Sequence, residues 1–95
     1  MSTKVALVTG ASQGIGRAVA LRLAQDKCRI ALADIPSQKD DLEVLKSEII
    51  ESGGEAAIYT ADVSVEMDVH EMIEDVVLDF GSLDIVRFDF SGFIG

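Results

Sequence analysis

Tryptophan is absent from these 95 residues, and cysteine, proline, histidine and tyrosine occur once each. A lone Cys28 can close no internal disulfide and has no companion thiol for a metal site, so its small side chain is expected to pack. His70 likewise has no second His or Cys at ligand spacing and falls on the polar side of a helical pattern, so no metal site is expected. No apolar run approaches the roughly 20 residues of a membrane span. The N-terminus carries one lysine, and Gly10 interrupts the first apolar run almost at once; a secretory leader is therefore not expected, and a cytoplasmic protein is. Basic residues are scarce too, 8 against 17 acidic, for a formal charge of −9.

The few cations are unevenly placed. Lys4, Arg17, Arg22, Lys27 and Arg29 face only Asp26 in residues 1–33, whereas three basic and sixteen acidic residues share the rest. A mildly positive N-terminal part suits an anionic ligand. The acidic remainder, mostly solvated helix faces, argues against nucleic acid or an anionic membrane as partner. The length allows one small domain, and 48% hydrophobic with 26% charged residues fits a globular chain.

What is present centres on Thr9-Gly10-Ala11-Ser12-Gln13-Gly14-Ile15-Gly16, between the apolar run Val5–Val8 and a helix-forming stretch. It reads as strand, glycine turn and helix N-terminus, where backbone N–H groups and the positive helix end can hold a pyrophosphate without a cationic side chain. Gly10 lets the chain leave the strand, Gly14 lets backbone approach phosphate, and Gly16 lets the helix sit close on the sheet.

The rest alternates. Lys4–Thr9 predicts a strand buried on both faces, and Gly14 to about Asp26 a helix with Ile15, Val19, Ala20, Leu23 and Ala24 inward. Arg29–Asp34 predicts a second strand, halted by Pro36. Ser37 with Asp40 resembles a capping box opening a second helix, with Leu42, Leu45 and Ile49 buried and Gly53-Gly54 closing it. Ala56–Ala61 predicts a third strand and Asp62-Val63-Ser64 a turn. A third helix follows with Val69, Met72, Ile73, Val76, Val77 and Phe80 inward and with Glu66 and Asp68 near its positive end. Gly81 ends it, and Leu83–Val86 begins a fourth strand. Tyr59 is expected to pack. This pattern predicts an α/β fold, a truncated doubly wound parallel sheet of about four strands in order 3-2-1-4 with helices on both faces. Ligands would sit at the C-terminal strand ends where the order reverses.

Asp34 ends the second strand on that rim, where a carboxylate can accept hydrogen bonds from adenosine ribose hydroxyls and repel a 2′-phosphate. NAD(H) is therefore expected over NADP(H).

Thr-Gly-x-x-x-Gly-x-Gly directly after an N-terminal strand resembles the short-chain dehydrogenase/reductase family, including members similar to acetoin/diacetyl reductases and to 3-oxoacyl-carrier-protein reductases. The likeness extends over about residues 4–86, through Phe80-Gly81-Ser82-Leu83-Asp84-Ile85-Val86. It implies a Rossmann-type fold, with cofactor contacts from Gly10, Ser12, Gln13, Gly14, Ile15, Gly16, Asp34, Ile35, Asp62 and Val63. Members preferring NADP often carry Arg or Lys where this chain has Gln13 and Ile35; Arg17 is the one nearby cation. Asp62-Val63 matches the family's Asp-Val after the third strand, where the resemblance implies that the Asp side chain meets the adenine amino group.

The match stops at Val86. Where the resemblance implies Asn-Asn-Ala-Gly, the chain reads Arg87-Phe88-Asp89-Phe90-Ser91-Gly92-Phe93-Ile94-Gly95. The expected organisation is a dinucleotide-binding half-domain, 1–86, and a divergent tail, 87–95, such as a shifted reading frame, a retained intron or a truncated gene model would each give. The family's catalytic Ser, Tyr and Lys are implied to lie beyond the break; no Tyr-x-x-x-Lys occurs, and no residue of this chain is expected to be catalytic. Two functions stay open. One is the cofactor-binding part of an NAD(H)-dependent oxidoreductase that meets an alcohol or carbonyl substrate only in a full-length form. The other is a non-catalytic nucleotide-binding or interaction module. Oligomeric state is not fixed by the sequence.

Overall fold

The apolar residues of the first strand run without a polar break, and a strand of that kind needs cover on both faces. In the computed structural model, which describes residues 3–87, it has such cover. Strand β1, Val5–Thr9, is buried along its whole length between β2, Arg29–Asp34, and β4, Ile85–Arg87. Beyond β2 lies β3, Glu55–Thr60, so the sheet is parallel in order β3-β2-β1-β4. The expected α/β architecture is observed.

Alternation along the strands divides the core in two. Ala6, Val8, Ile30 and Leu32 face helices α1, Gly14–Gln25, and α2, Lys39–Glu51, meeting Ala20 of the first and Leu42, Leu45 and Ile49 of the second. Val5, Leu7, Ala31 and Ala33 face α3, Glu66–Phe80, through Met72 and Val76. Cys28 is buried in the first cluster, as expected.

α1 and α2 also end alike. Lys27 and Cys28 donate backbone N–H bonds to Ala24 and Leu23 carbonyls at 3.0 Å each, while Gly53 and Gly54 donate to Ile50 and Ile49 at 3.0 and 2.9 Å. Both closures have the paired hydrogen bonds of a Schellman motif, with a left-handed residue at its centre: Lys27 at φ 71° and Gly53 at φ 91°. Only the second was expected, because only it has the glycine.

Several local expectations are corrected. Ser37 does not cap α2: Pro36–Gln38 form a single 3-10 turn, and α2 starts at Lys39 with no side-chain cap bond. Pro36 fixes φ where the chain leaves Ile35, so winding begins before Ser37 can act as a cap. Asp40 and Asp41 supply the negative charge of the first turn instead. Ile15, expected inward, is 64% exposed, because the first turn of α1 finds no apolar cover at the sheet's rim. Val77 is exposed as well; the buried stripe of α3 is narrower than its apolar periodicity, running through Val69, Met72, Ile73, Val76 and Phe80. β3 begins one residue early, at Glu55, and Ala61 follows the strand, though buried.

The fourth strand starts later than Leu83 because Asp84 has another job. Its Oδ2 accepts the Val5 N–H at 2.8 Å and its own N–H donates to the Val5 carbonyl at 2.9 Å, pinning the entry of β4 to that of β1. Arg29 plays a similar part on the other side of the sheet. Its guanidinium stacks 4.9 Å from the Phe80 ring centroid, donates to the Phe80 carbonyl at 3.3 Å and pairs with Glu55 at 2.8 Å. The negative end of α3, which has no basic residue in its own last turn, thus receives its cation from β2. The tail expected from residue 87 lies outside the described residues except for Arg87, which closes β4.

Candidate functional site

The strand order reverses between β1 and β4, and along the same edge of the sheet the C-terminal ends of β1, β2 and β3 are stitched together by backbone. Ala11 N–H donates to the Ala33 carbonyl and Ala61 N–H to the Asp34 carbonyl, each at 3.0 Å. Those two bonds carry the sheet pattern past the last strand residues. The glycine turn, Asp34 and Asp62 consequently stand on one rim.

Within the turn, Gly10 and Gly14 have φ of 64° and 61°, conformations that a side chain strains. An added Cβ at Gly14 would meet nothing within 4 Å, so the space over its backbone is open, whereas one at Gly16 would lie 2.1 Å from the Gly10 carbonyl oxygen. Gly16 therefore serves a close approach of α1 to the turn itself, one step away from the expected contact with the sheet. Gln13 precedes α1 in extended conformation, with no side-chain cap bond and no acid in the first turn. Neither a cap nor a carboxylate of the helix competes there for an incoming anion.

Asp34 is joined to this turn. Its Oδ2 accepts the Ser12 hydroxyl at 2.6 Å and the Ser12 N–H at 3.2 Å, and its Oδ1 accepts the Ile35 N–H at 2.8 Å. Ser12 is 5% exposed, Asp34 half-buried and Ile35 exposed. Gln38, in the 3-10 turn, brings its side-chain oxygen to 3.5 Å from the Ser12 hydroxyl. Sequence reading placed Gln38 in a helix and gave no sign of this contact. Thr9 is buried, its hydroxyl 3.5 Å from the Arg87 carbonyl at the end of β4.

Asp62 is engaged differently. Its Oδ1 accepts both the N–H and the hydroxyl of Ser64, at 2.9 and 2.6 Å, while its own N–H donates to Asp68 Oδ2 at 3.2 Å. The Ser64 hydroxyl first, then its N–H, hold the Asp62 carboxyl below the usual aspartate range. This is a tight turn closed by its own first residue, with Val63 half-buried inside it. Arg17, the one cation near the glycine turn in sequence, is paired with Glu48 of α2.

Tyr59 is a strut. Its hydroxyl donates to Asp79 Oδ2 at 2.7 Å, and burial first, then that bond and the charges of Asp79 and Asp75, raise its pKa well above the tyrosine norm. His70 is exposed, with Nδ1 3.8 Å from Glu74 one helical turn on. A depression of about 330 Å³ lined by Lys27, Cys28, Ser52 and Gly53 lies at the opposite rim, away from the glycine turn. Among the described residues no group of three or more His, Cys, Asp or Glu side chains could hold a metal ion, and no helix is long and apolar enough to cross a membrane.

The sequence profile of the family described as short chain dehydrogenase matches residues 4–87. This chain belongs to that family. A short-chain dehydrogenase/reductase of Armillaria gallica is 46% identical over 83 residues, which are 87% of this chain and 32% of that protein. The 3-oxoacyl-[acyl-carrier-protein] reductase FabG of Staphylococcus epidermidis is 43% identical over 83 residues, 87% of this chain and 34% of its own length. The chain thus spans about a third of these curated relatives. Among solved structures, NAD+-bound xylitol dehydrogenase superposes with a TM-score of 0.80 at 43% identity, covering 87% of this chain and 31% of that one. The alcohol dehydrogenase of Thermococcus sibiricus complexed with 5-hydroxy-NADP gives 0.82 at 38% identity, covering 90% and 36%. The fold is the Rossmann-type arrangement of short-chain dehydrogenase structures.

Proposed function

We propose that this chain is the dinucleotide-binding part, residues 1–86, of an oxidoreductase that interconverts alcohols and carbonyl compounds, and that it takes NAD(H) in preference to NADP(H). The observation that carries the reading is Asp34, a carboxylate held on the rim directly beside a helix N-terminus that has neither side-chain cap nor acid. Open space over Gly14 is what a phosphate group requires there. Solved relatives of similar fold carry one cofactor or the other, xylitol dehydrogenase NAD+ and the Thermococcus enzyme a hydroxylated NADP. The choice of NAD(H) rests on the charge of Asp34, on Gln13 and Ile35 standing where cations would serve a 2′-phosphate, and on Arg17 being paired with Glu48.

In this reading Gly10, Ser12, Gln13, Gly14, Ile15 and Gly16 meet the pyrophosphate side, Asp34 and Ile35 the adenosine ribose, and Asp62 and Val63 the adenine. The nicotinamide group, when bound, supplies or accepts the hydride. This chain's own residues bind and orient the adenosine half. Hydride transfer to a carbonyl also needs a proton donor at the developing alkoxide, and Tyr59, tied to Asp79 on the α3 side of the sheet, cannot serve. The reading therefore assigns these residues binding without turnover. It places the protein in the cytoplasm, with no nucleic acid or membrane partner, in keeping with its acidic charge.

The test is a titration of the 95-residue chain with NADH and NADPH, before and after Asp34→Ala. Tighter binding of NADH, with the gap narrowed in the variant, is expected. An unchanged preference would show that Asp34 merely opens a turn. Turnover of small ketones, diketones or acyl thioesters by the chain alone, lost on Gly14→Val, would contradict binding without chemistry.

A further inference from the structure

Ser12 has one hydroxyl proton and two acceptors within reach, Asp34 Oδ2 at 2.6 Å and Gln38 Oε1 at 3.5 Å. The distances decide between them: the first is a short charge-assisted bond, the second at the outer limit of any hydrogen bond. The proton therefore goes to Asp34. An amide orientation that satisfies all three groups turns the Gln38 NH2 toward the Ser12 oxygen, keeping the hydroxyl from rotating away. With Ser12 N–H on the same Oδ2 and Ile35 N–H on Oδ1, three donors fix the carboxylate from both ends. A carboxylate offers about four acceptor sites. About one, on Oδ1, is left for a ligand hydroxyl.

A tethered carboxylate selects differently from a mobile one. An Asp free to turn about its side-chain bonds can swing away from a 2′-phosphate and relieve much of the repulsion, whereas one held on both oxygens cannot. We propose, on the strength of the cofactor reading above, that Ser12 is a positioning residue: its hydroxyl fixes the aim of Asp34 and thereby sets the discrimination between a free ribose 2′-hydroxyl and a 2′-phosphate. Gln38 supports the Ser12 hydroxyl from outside the glycine turn.

The experiment titrates the 95-residue chain and its variants with NADH and with NADPH. Ser12→Ala lowers the NADH-over-NADPH preference by about tenfold or more, the worth of one hydrogen bond to a charged group. Ser12→Thr, which keeps the hydroxyl, retains the preference. In an Asp34→Asn background, Ser12→Ala shifts the preference by less than about twofold, because the group it aims has lost its charge. Ser12→Cys, which keeps the volume but donates weakly, lowers the preference as Ser12→Ala does, and guards against a folding defect of the alanine variant; thermal melts accompany each. Equal weakening of both cofactors by Ser12→Ala, or an unchanged preference while Asp34→Asn abolishes it, overturns the positioning role and leaves the cofactor reading standing. A preference indifferent to Asp34→Asn overturns both.

Discussion

The two ends of this sheet treat helix termini in opposite ways. At the rim where α1 begins, Gln13 makes no side-chain cap bond and the first helical turn carries no acid, while the carboxylate beside the glycine turn belongs to β2. At the other rim, where α1 and α2 end, the terminal carbonyls of both helices are closed by paired backbone bonds. A helix end that serves stability satisfies its own polar groups, whereas one that serves a ligand leaves them for the ligand. Positive-φ residues stand at both rims, so left-handed backbone alone does not mark the site.

The sharpest way to break this contrast is a matched pair, since Gly14 and Gly53 both have positive φ and both have open space where a Cβ would go. Valine at either position introduces left-handed strain of about 1–2 kcal/mol. Only Gly14→Val should also lose NADH, by more than about a hundredfold or roughly 3 kcal/mol, because its side chain fills the ligand's space. Chemical denaturation and cofactor titration of both variants separate the two effects.

Next in size is Asp34→Ala, which should weaken NADH binding by about 1–3 kcal/mol and, by lifting the repulsion of the 2′-phosphate, tighten NADPH binding. Isothermal titration with each cofactor measures it. A smaller effect is expected at the closed rim: Lys27→Gly removes a left-handed side chain and should stabilise the fold by about 0.5–1 kcal/mol with cofactor affinity unchanged.

The smallest is a pH effect at Asp62. Ser64 lowers its folded pKa, so the unfolded chain binds the proton more readily; the associated stability is present above the ordinary aspartate pKa and fades as pH falls through the lowered one. Ser64→Ala should move the Asp62 titration back up toward the ordinary aspartate value, as followed by carboxyl NMR shifts. Solvent around this partly exposed carboxyl keeps the stability change small.

The sequence made the glycine-turn rim more legible than the closed one, for a physical reason. β2 and the Leu42, Leu45, Ile49 stripe were readable to the residue, because burial imposes a period on apolar side chains. Gly10, Gly14 and Gly16 were readable because few other residues adopt those conformations or fit that gap. Lys27 was not, since nothing in its side chain announces a left-handed closure. Ser12-Asp34-Gln38 and Asp84-Val5 were equally silent, being contacts between segments far apart in the chain whose partners only the folded register brings together. Ile15 and Val77 misled because helical period shows which residues could be covered, and the extent of the neighbouring sheet decides which ones are.

Amide hydrogen exchange of the chain with and without NADH compares the two rims in a single measurement. Slowing confined to the backbone of residues 10–17, 34–38 and 62–64, with residues 26–29 and 52–55 unchanged, is the outcome expected of a ligand held by the glycine turn, Asp34 and the Asp62 turn. Slowing at the closed rim instead, or none at the glycine turn under saturating NADH, would contradict it.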